Sequence, residues 1–485
     1  MYLFLVSILG LALRLININK FEGLWNDEYV SWFVASTPFK EGFFNEILKQ
    51  CHMPLYYIYL KPFVYFSDTI LRLTSVLPSV AAIPVMYLVG KEYSEKSGKI
   101  AALITATLPF LIYYSQEVRF YSLLFLFCAL SLLFTVRLLK KSSYINWFLW
   151  GSSLALILFT HVLGGIYVIF NVLYVIYKKK RISGTIILIS AVMGIIVLIF
   201  GIHILKMLPS SQWWGHFGYS NLLFLFSDFF SPILTNNINA PTVFFYTKDY
   251  FLLLLMTIPT VLAFLGLILG IRKEKGFALV GLLTILGMIA LAYSGKIVFI
   301  TKYSIEVLPI LILLISIGFE KKLGNFLLST ILLFYLGTIF TPYHPIWIYK
   351  SEGNKLAADL INNANSDYIV FTYYAPNRFD RYLSKDIKSQ YLTIDKTARF
   401  AYKKNPEKIL DAVKNGETVS ILLLNSVSFI PEQYLDKAES MKIPEMFITF
   451  SKIKFGLVHE LANHYKNYKV KTNGDWILIS GEKFK

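Results

Sequence analysis

Residues 251–275 read FLLLLMTIPTVLAFLGLILGIRKEK: twenty positions without a charge, then four charged residues among the next five. A helical run of about 20 apolar residues spans the roughly 30 Å hydrocarbon layer of a bilayer. The basic cluster that closes it is the kind of loop retained on the cytoplasmic side. One stretch therefore predicts a membrane-spanning helix and also its direction. The same signal recurs outward in both directions, with spans predicted near 2–18, 69–90, 99–115, 120–138, 146–162, 164–177, 183–205, 251–271, 277–293, 302–319 and 323–340. From Thr341 onward the text turns mixed and polar.

Composition agrees. Of 485 residues, 56% are hydrophobic and 16% charged, against about 25% charged in a soluble domain. The formal charge of +17 does not indicate nucleic acid: residues 341–485 hold 21 Lys/Arg and 16 Asp/Glu, a balance of +5. The other +12 belongs to the apolar block and sits mainly in its short loops, which is topology signalling. Nothing resembles a nucleic-acid-binding module. Met1–Ile18 lacks a basic leader and a small-residue cleavage site, so it is expected to stay as the first span. Cys51 falls in a polar loop and Cys128 mid-span, which argues against a disulfide.

The least determined stretch is 146–177: one long helix, or two short ones broken at Gly164–Gly165. Loop charge decides for two. The loops 91–99, 137–141, 178–181, 272–275 and 320–322 then fall on one side, with 15 Lys/Arg in 25 residues. The large loops 20–68 and 208–250 fall on the other, with five in 92. The expected topology is a multi-pass cell-membrane protein with a cytoplasmic N-terminus and an extracytoplasmic C-terminal domain. Two domains are predicted, a membrane domain over 1–340 and a small soluble α/β domain over 341–485. Within the latter, Asn354–Asn363 and Glu407–Lys414 read as helix. Tyr368–Tyr373, Val419–Leu424, Tyr468–Val470 and Trp476–Ser480 read as strand. In the first outer loop, Glu28–Ala35 and Met53–Phe66 suit short interfacial helices.

Ionisable residues gather at the outer ends of the spans, where each is costly without a purpose. Trp25-Asn26-Asp27-Glu28 follows the first span; Cys51-His52-Met53-Pro54-Leu55-Tyr56-Tyr57 lies in the same loop. Ser115-Gln116-Glu117-Val118-Arg119-Phe120-Tyr121-Ser122 forms the next outer turn, Thr160-His161 ends the fifth span, and Lys302-Tyr303 opens the tenth. Each has a plainer reading. Asp27 and Glu28 are also what solvated interface acids look like, His52 a backbone-bonded loop residue, and Glu117 with Arg119 a structural pair across a turn. His161 suits a helix-end hydrogen bond, and Arg14 and Lys302 suit snorkelling chains.

The ordered set Leu13-Arg14-Leu15, Leu24-Trp25-Asn26-Asp27-Glu28, His52-x-Pro54-Leu55-Tyr56-Tyr57 and Tyr114-Ser115-Gln116-Glu117-x-Arg119-x-Tyr121-Ser122-Leu123 resembles one family. It is that of the GT-C glycosyltransferases of the protein O-mannosyltransferase and aminoarabinose-transferase type (glycosyltransferase family 39-like). Thr160-His161 and Lys302-Tyr303 with Leu308-Pro309 fall where that family often has Thr-His and Arg-Tyr with Leu-Pro. The resemblance runs through the membrane block; the C-terminal domain matches only in position and character.

The resemblance implies a polytopic helical fold and a sugar donor carried on dolichyl or undecaprenyl phosphate. It implies transfer on the outer face to a protein, lipid or glycan hydroxyl. Asp27 stands where the family has its first-loop acid and is expected to act as base, with Glu28 orienting the site or sharing that role. Arg119 is expected to hold the phosphate through a fork of donors, seconded by Lys302, which lacks the bidentate geometry of the family's more usual Arg. Glu117 is expected to position the acceptor or fix Arg119. His52, Tyr56, Tyr121, His161 and Tyr303 complete the expected sugar and phosphate pocket, and a single displacement inverts the anomeric carbon. No cofactor is required; the histidines and acids could ligate a divalent cation, but no spacing such as His-Glu-x-x-His supports one. The competing classes are a transporter or lipid flippase, against which stand the absence of an internal repeat and the one-sided placement of the polar residues, and a scaffold working through the C-terminal domain.

Overall fold

A computed structural model of the chain describes residues 1–19, 23–180, 184, 194–195, 219–231, 250–294, 301–340, 353–364, 368–371, 381–384, 418–424, 465–473 and 476–483. Two compact units divide it: Met1–Ile18 with Ser31–Ile348, and Asn19–Val30 with Tyr349–Lys485.

The first unit is helical. Its elements are α1 (Tyr2–Leu15), α2 (Asn26–Ser36, which begins in the second unit), α3 (Phe43–Lys49), α4 (Leu55–Leu60), α5 (Asp68–Lys91), α6 (Glu95–Thr107), α7 (Pro109–Ser115), α8 (Tyr121–Lys140), α9 (Tyr144–Thr160), α10 (Gly164–Lys179), α11 (Tyr219–Phe230), α12 (Tyr250–Ile271), α13 (Lys275–Tyr293), α14 (Leu308–Gly318) and α15 (Lys322–Thr338). Every span read from the sequence has its helix here except 183–205, which apart from 184 and 194–195 lies outside the described residues. Helices α2 to α4 are the short first-loop helices, and α11 adds one in the second large loop, which the sequence reading left as loop.

Among the described residues, four helices are long and apolar enough to cross a membrane, and the α6–α7 pair, bent by 52°, makes a fifth. The bend has a local cause. Leu108 precedes Pro109 and is extended at φ −63°, ψ 116°, the region to which a residue before proline is pushed. Large apolar side chains face outward, with Leu77 61% and Leu333 71% exposed. In water that surface would drive association; in hydrocarbon it is the face turned to solvent. Inside, small residues bring backbones together. A Cβ on Gly270 would sit 1.9 Å from the Leu314 carbonyl oxygen, and one on Gly318 2.1 Å from that of Gly266. The Gly-x-x-x-Gly spacing of 266 and 270 thus packs α12 on α14.

Arg14 does not snorkel. It is wholly buried, donating to Ser79 Oγ at 2.8 Å and to the carbonyls of Gly10, Ala106 and Thr105, each at 2.9 Å. One guanidinium therefore ties α1 to α5 and α6, and its donors need not reach water because carbonyls inside the bundle take them. Arg14→Ala removes these charge-assisted bonds and opens a cavity, with an expected loss of about 2–5 kcal/mol. Thermal unfolding in detergent is expected to show a lower midpoint, partly recovered by Arg14→Met, which refills the volume.

The chain reverses between α9 and α10. His161 is extended at φ −151°, ψ 132°, and a Cβ on Gly164 would lie 2.6 Å from Ile157 Cγ2. Lower in the hairpin Trp150 Nε1 donates to Asn171 Oδ1 at 2.8 Å. The stretch 146–177 is thus two antiparallel helices, as loop charge required. Its far end meets the other basic loops, where Lys179 Nζ donates to the Leu139 carbonyl at 3.0 Å. Beside it Glu92 accepts from Arg137 at 2.9 Å and Lys140 at 3.1 Å, and Tyr93 donates to Glu274 at 3.2 Å. Glu320 collects Ser94, Ser97 and Lys273 at 2.6, 2.8 and 2.6 Å. Partial burial pushes the Glu320 carboxyl up, but these donors outweigh it and hold it below the usual carboxylate range. The basic loops predicted to share one side do share one end of the bundle.

The second unit contains α16 (Asn354–Asn362) and a four-stranded sheet of β1 (Tyr368–Phe371), β2 (Thr418–Leu424), β3 (Tyr465–Asn473) and β4 (Trp476–Lys483). The order is β1-β2-β4-β3, with β1 parallel to β2 and the other pairs antiparallel. Helix α16 packs on β3 and β4. This is the small α/β domain expected; the helix read at 407–414 lies outside the described residues.

Candidate functional site

The end of the membrane unit opposite the basic loops gathers most of the residues singled out above. Its centre is the turn between α7 and α8. The Gln116 amide donates to the carbonyls of Arg14 and Ile16 at 3.0 and 2.7 Å, pinning the turn to the end of α1. The Arg119 N–H then reaches back to the Glu117 carbonyl at 2.7 Å. Glu117 and Arg119 are two residues apart in a turn, not on a helix, and both are buried. Ser75 Oγ donates to the Arg119 carbonyl at 3.2 Å, and Arg119 Nη1 donates to Ser31 Oγ at 3.3 Å.

Rings link this turn to the rest. Phe120 stacks on His161 at 4.5 Å between centroids, and His161 on Tyr303 at 6.0 Å. On its other side Phe120 meets His52 at 5.7 Å and Tyr56 at 6.3 Å, both edge-on. His52 stacks on Tyr57 at 5.8 Å, and its Nδ1 shares a hydrogen bond with the Tyr57 hydroxyl. Tyr121 carries the two cations: Arg119 lies 6.0 Å and Lys302 5.8 Å from its ring centre. Such cation–ring contacts are each worth about 0.5–2 kcal/mol and hold the charges without neutralising them. His52, Tyr56, Arg119, Tyr121, His161, Lys302 and Tyr303 thus form one connected cluster, with Glu117 in its supporting turn.

Two acids escaped the sequence reading. Glu306 is fully buried, its Oε1 3.4 Å from His161 Nδ1. Its Oε2 has no hydrogen-bond partner among the described residues. It follows Lys302 by four positions in the 3-10 stretch Thr301–Val307, which Ser304 (φ −107°, ψ 16°) breaks. The signal that could have found it is that it is the one acid in the span predicted at 302–319. Asp228, buried at the end of α11, accepts from Thr301 Oγ1 at 2.8 Å; it lay in a stretch read as loop. Cys51 and Cys128 are both free, and burial pushes the Cys51 thiol above its usual range, away from nucleophilic use. Among the described residues no three His, Cys, Asp or Glu side chains converge as a metal-ligand set.

Asp27 and Glu28 lie in the second unit, in the first turn of α2. Glu28 is buried and its Oε2 accepts the Trp25 N–H at 3.2 Å. A Glu at the third helical position reaching back to the N-cap amide is one half of a capping box. Glu28 therefore stiffens the helix start, while Asp27 beside it is half-buried. Just upstream, the Leu24 N–H donates to Tyr382 Oη at 2.7 Å, and the Leu24 carbonyl accepts the Asn354 N–H at 3.2 Å.

Residues 57–204 match the family described as dolichyl-phosphate-mannose-protein mannosyltransferase. No curated protein sequence matches the chain. Among solved structures it is similar to ArnT from Cupriavidus metallidurans bound to undecaprenyl phosphate, at 10% identity and a TM-score of 0.53, over 98% of this chain and 97% of that one. It is also similar to the oligosaccharyltransferase of Archaeoglobus fulgidus in complex with Zn and sulfate. That likeness has 11% identity and a TM-score of 0.51, over 97% of this chain and 72% of the other. The fold is that of the polytopic GT-C glycosyltransferases, and the apolar helices support a membrane location. The family match and the fold together support a membrane glycosyltransferase.

Proposed function

We propose that the protein transfers a sugar from a polyprenyl phosphate, dolichyl or undecaprenyl, to an acceptor hydroxyl on the extracytoplasmic face of the membrane, with inversion. The observation that carries this reading is the pair of cations, Arg119 and Lys302, each within about 6 Å of the Tyr121 ring at the non-basic end of the bundle. A phosphate needs such a clamp, and a lipid-borne phosphate needs it where apolar helices end. The family match and the undecaprenyl phosphate of the ArnT structure support the choice of donor.

In the reaction, the acceptor oxygen bonds to the anomeric carbon as the bond from that carbon to the phosphate oxygen breaks. The electron pair leaves with polyprenyl phosphate, and the hydroxyl proton passes to Asp27. Arg119 and Lys302 hold the phosphate and stabilise the charge that grows on it. His161, oriented by Glu306, and the rings of Tyr56, His52 and Tyr303 border the sugar.

The test is turnover of synthetic polyprenyl-phosphomannose and related phosphosugars by the purified protein in lipid nanodiscs. Release of polyprenyl phosphate with a product of inverted anomeric configuration is expected. Movement of intact donor across the bilayer without release would replace this reading by a flippase.

A further inference from the structure

The C-terminal domain holds more of the acidic segment than a passing contact requires. Residues 19–30, a first-loop segment by sequence, group with 349–485 and not with the helices around them in the chain. Two consecutive residues, Gly23 and Leu24, make the junction. Gly23 has φ +77°, and a Cβ there would lie 2.5 Å from Lys355 Cβ and 2.9 Å from Lys355 N. Both the left-handed backbone and the close approach call for glycine. Leu24, wholly buried, has its N–H on Tyr382 Oη at 2.7 Å and its carbonyl on Asn354 N–H at 3.2 Å. Asn354 opens α16, so Leu24 uses a helix-start donor that has no partner inside its own helix. Trp25 is then tied by Glu28 at 3.2 Å.

Tyr382 is itself held. Asn362 Nδ2 donates to its carbonyl at 3.1 Å, and the Ser384 N–H donates to Asn362 Oδ1 at 3.0 Å. Hydrogen bonds of 2.7 to 3.2 Å and the chain itself link α16 through Tyr382 to Leu24, Trp25 and the capped first turn of α2. Asp27 is the second residue of that turn.

We infer that the C-terminal domain is the frame that sets the Asp27 carboxylate, with Tyr382 as a positioning residue acting through the Leu24 amide. The inference rests on the transferase reading and assigns the domain a part in it. A carboxylate acting as base must stand within hydrogen-bond reach of the attacking hydroxyl. A displacement of about 1 Å there costs on the order of 100-fold. A domain that merely docked would leave turnover of the folded protein untouched when one hydroxyl was lost.

The test uses the full-length protein in nanodiscs with Tyr382→Phe, which removes only the hydroxyl, and Gly23→Ala, which attacks the junction from the first-loop side of the contact. Lys469→Ala is the control, since Lys469 is an exposed residue of β3 outside this path. Hydrogen exchange reads the peptide containing Leu24 and Trp25, and release of polyprenyl phosphate from polyprenyl-phosphomannose reads kcat and KM. Faster exchange is expected in both junction variants. Their kcat is expected to fall about 10- to 100-fold with KM for the donor unchanged, and the control should match wild type. Faster exchange with an unchanged kcat would reduce the contact to docking, and unchanged exchange would remove the contact altogether. A wild type inert to every phosphosugar tried overturns the transferase reading and this inference together, and is recognised without any variant.

Discussion

Asp27→Asn is expected to lower turnover by about 10²- to 10⁴-fold, the range general-base catalysis supplies, while KM for the lipid-linked donor stays close to wild type. The amide keeps the size and shape of the carboxylate but gives up its charge and its ability to take a proton. The phosphate clamp is made by other residues, so donor binding is untouched. The helix start is also untouched, because it is Glu28 and not Asp27 that accepts from Trp25. Glu28→Gln gives the contrast. Its amide oxygen can still accept that N–H, so a capping role predicts a small loss, whereas a shared basic role predicts a loss like that of Asp27→Asn. Release of polyprenyl phosphate at saturating donor separates the cases. An Asp27→Asn protein that turns over at the wild-type rate would move the base to another acid, of which Glu117 and Glu306 are the buried candidates.

Arg119→Ala is expected to reduce kcat/KM by about 10²- to 10³-fold, as loss of one preorganised donor to a developing anion does. The guanidinium donates to Ser31 at 3.3 Å and lies 5.3 Å from the Phe120 ring, so its direction is fixed before the phosphate arrives. Arg119→Lys keeps the charge but loses the fork, and is expected to recover only part of the activity. Lys302→Ala should cost less, and Lys302→Arg should be tolerated or improved, because a point charge already works there. A binding measurement with undecaprenyl phosphate checks the order of effects. Affinity that follows the variants supports the clamp; affinity indifferent to both cations would sink it.

The membrane fold was legible because the bilayer demands a simple code: about 20 apolar residues per crossing and basic loops on one side. The reversal at His161 followed from the charges of Lys178–Arg181, not from local helix propensity. Legible too was the cluster of His52, Arg119, His161 and Lys302, since topology put them at one end before any chemistry was considered. The pairing of Glu306 with His161 was not. Nothing local joins residues 145 positions apart; only the packing of Thr301–Val307 beside the α9–α10 break does. Arg14 was misread as a candidate for snorkelling, because a sequence shows a charge in a span but not the backbone carbonyls of distant helices that receive it. Glu28 carried a capping pattern that can be read locally, and its acidity drew attention to catalysis first. The grouping of residues 19–30 with the C-terminal domain has no local signature at all.

Arg14 also bears on how the chain is put together during synthesis. Its partners stand 65, 91 and 92 residues downstream. When α1 leaves the ribosome, its guanidinium has only the Gly10 carbonyl of its own helix to bond. Its other donors find their final acceptors only once α5 and α6 have been made, so the last seating of the first helix is expected to come after the synthesis of α6.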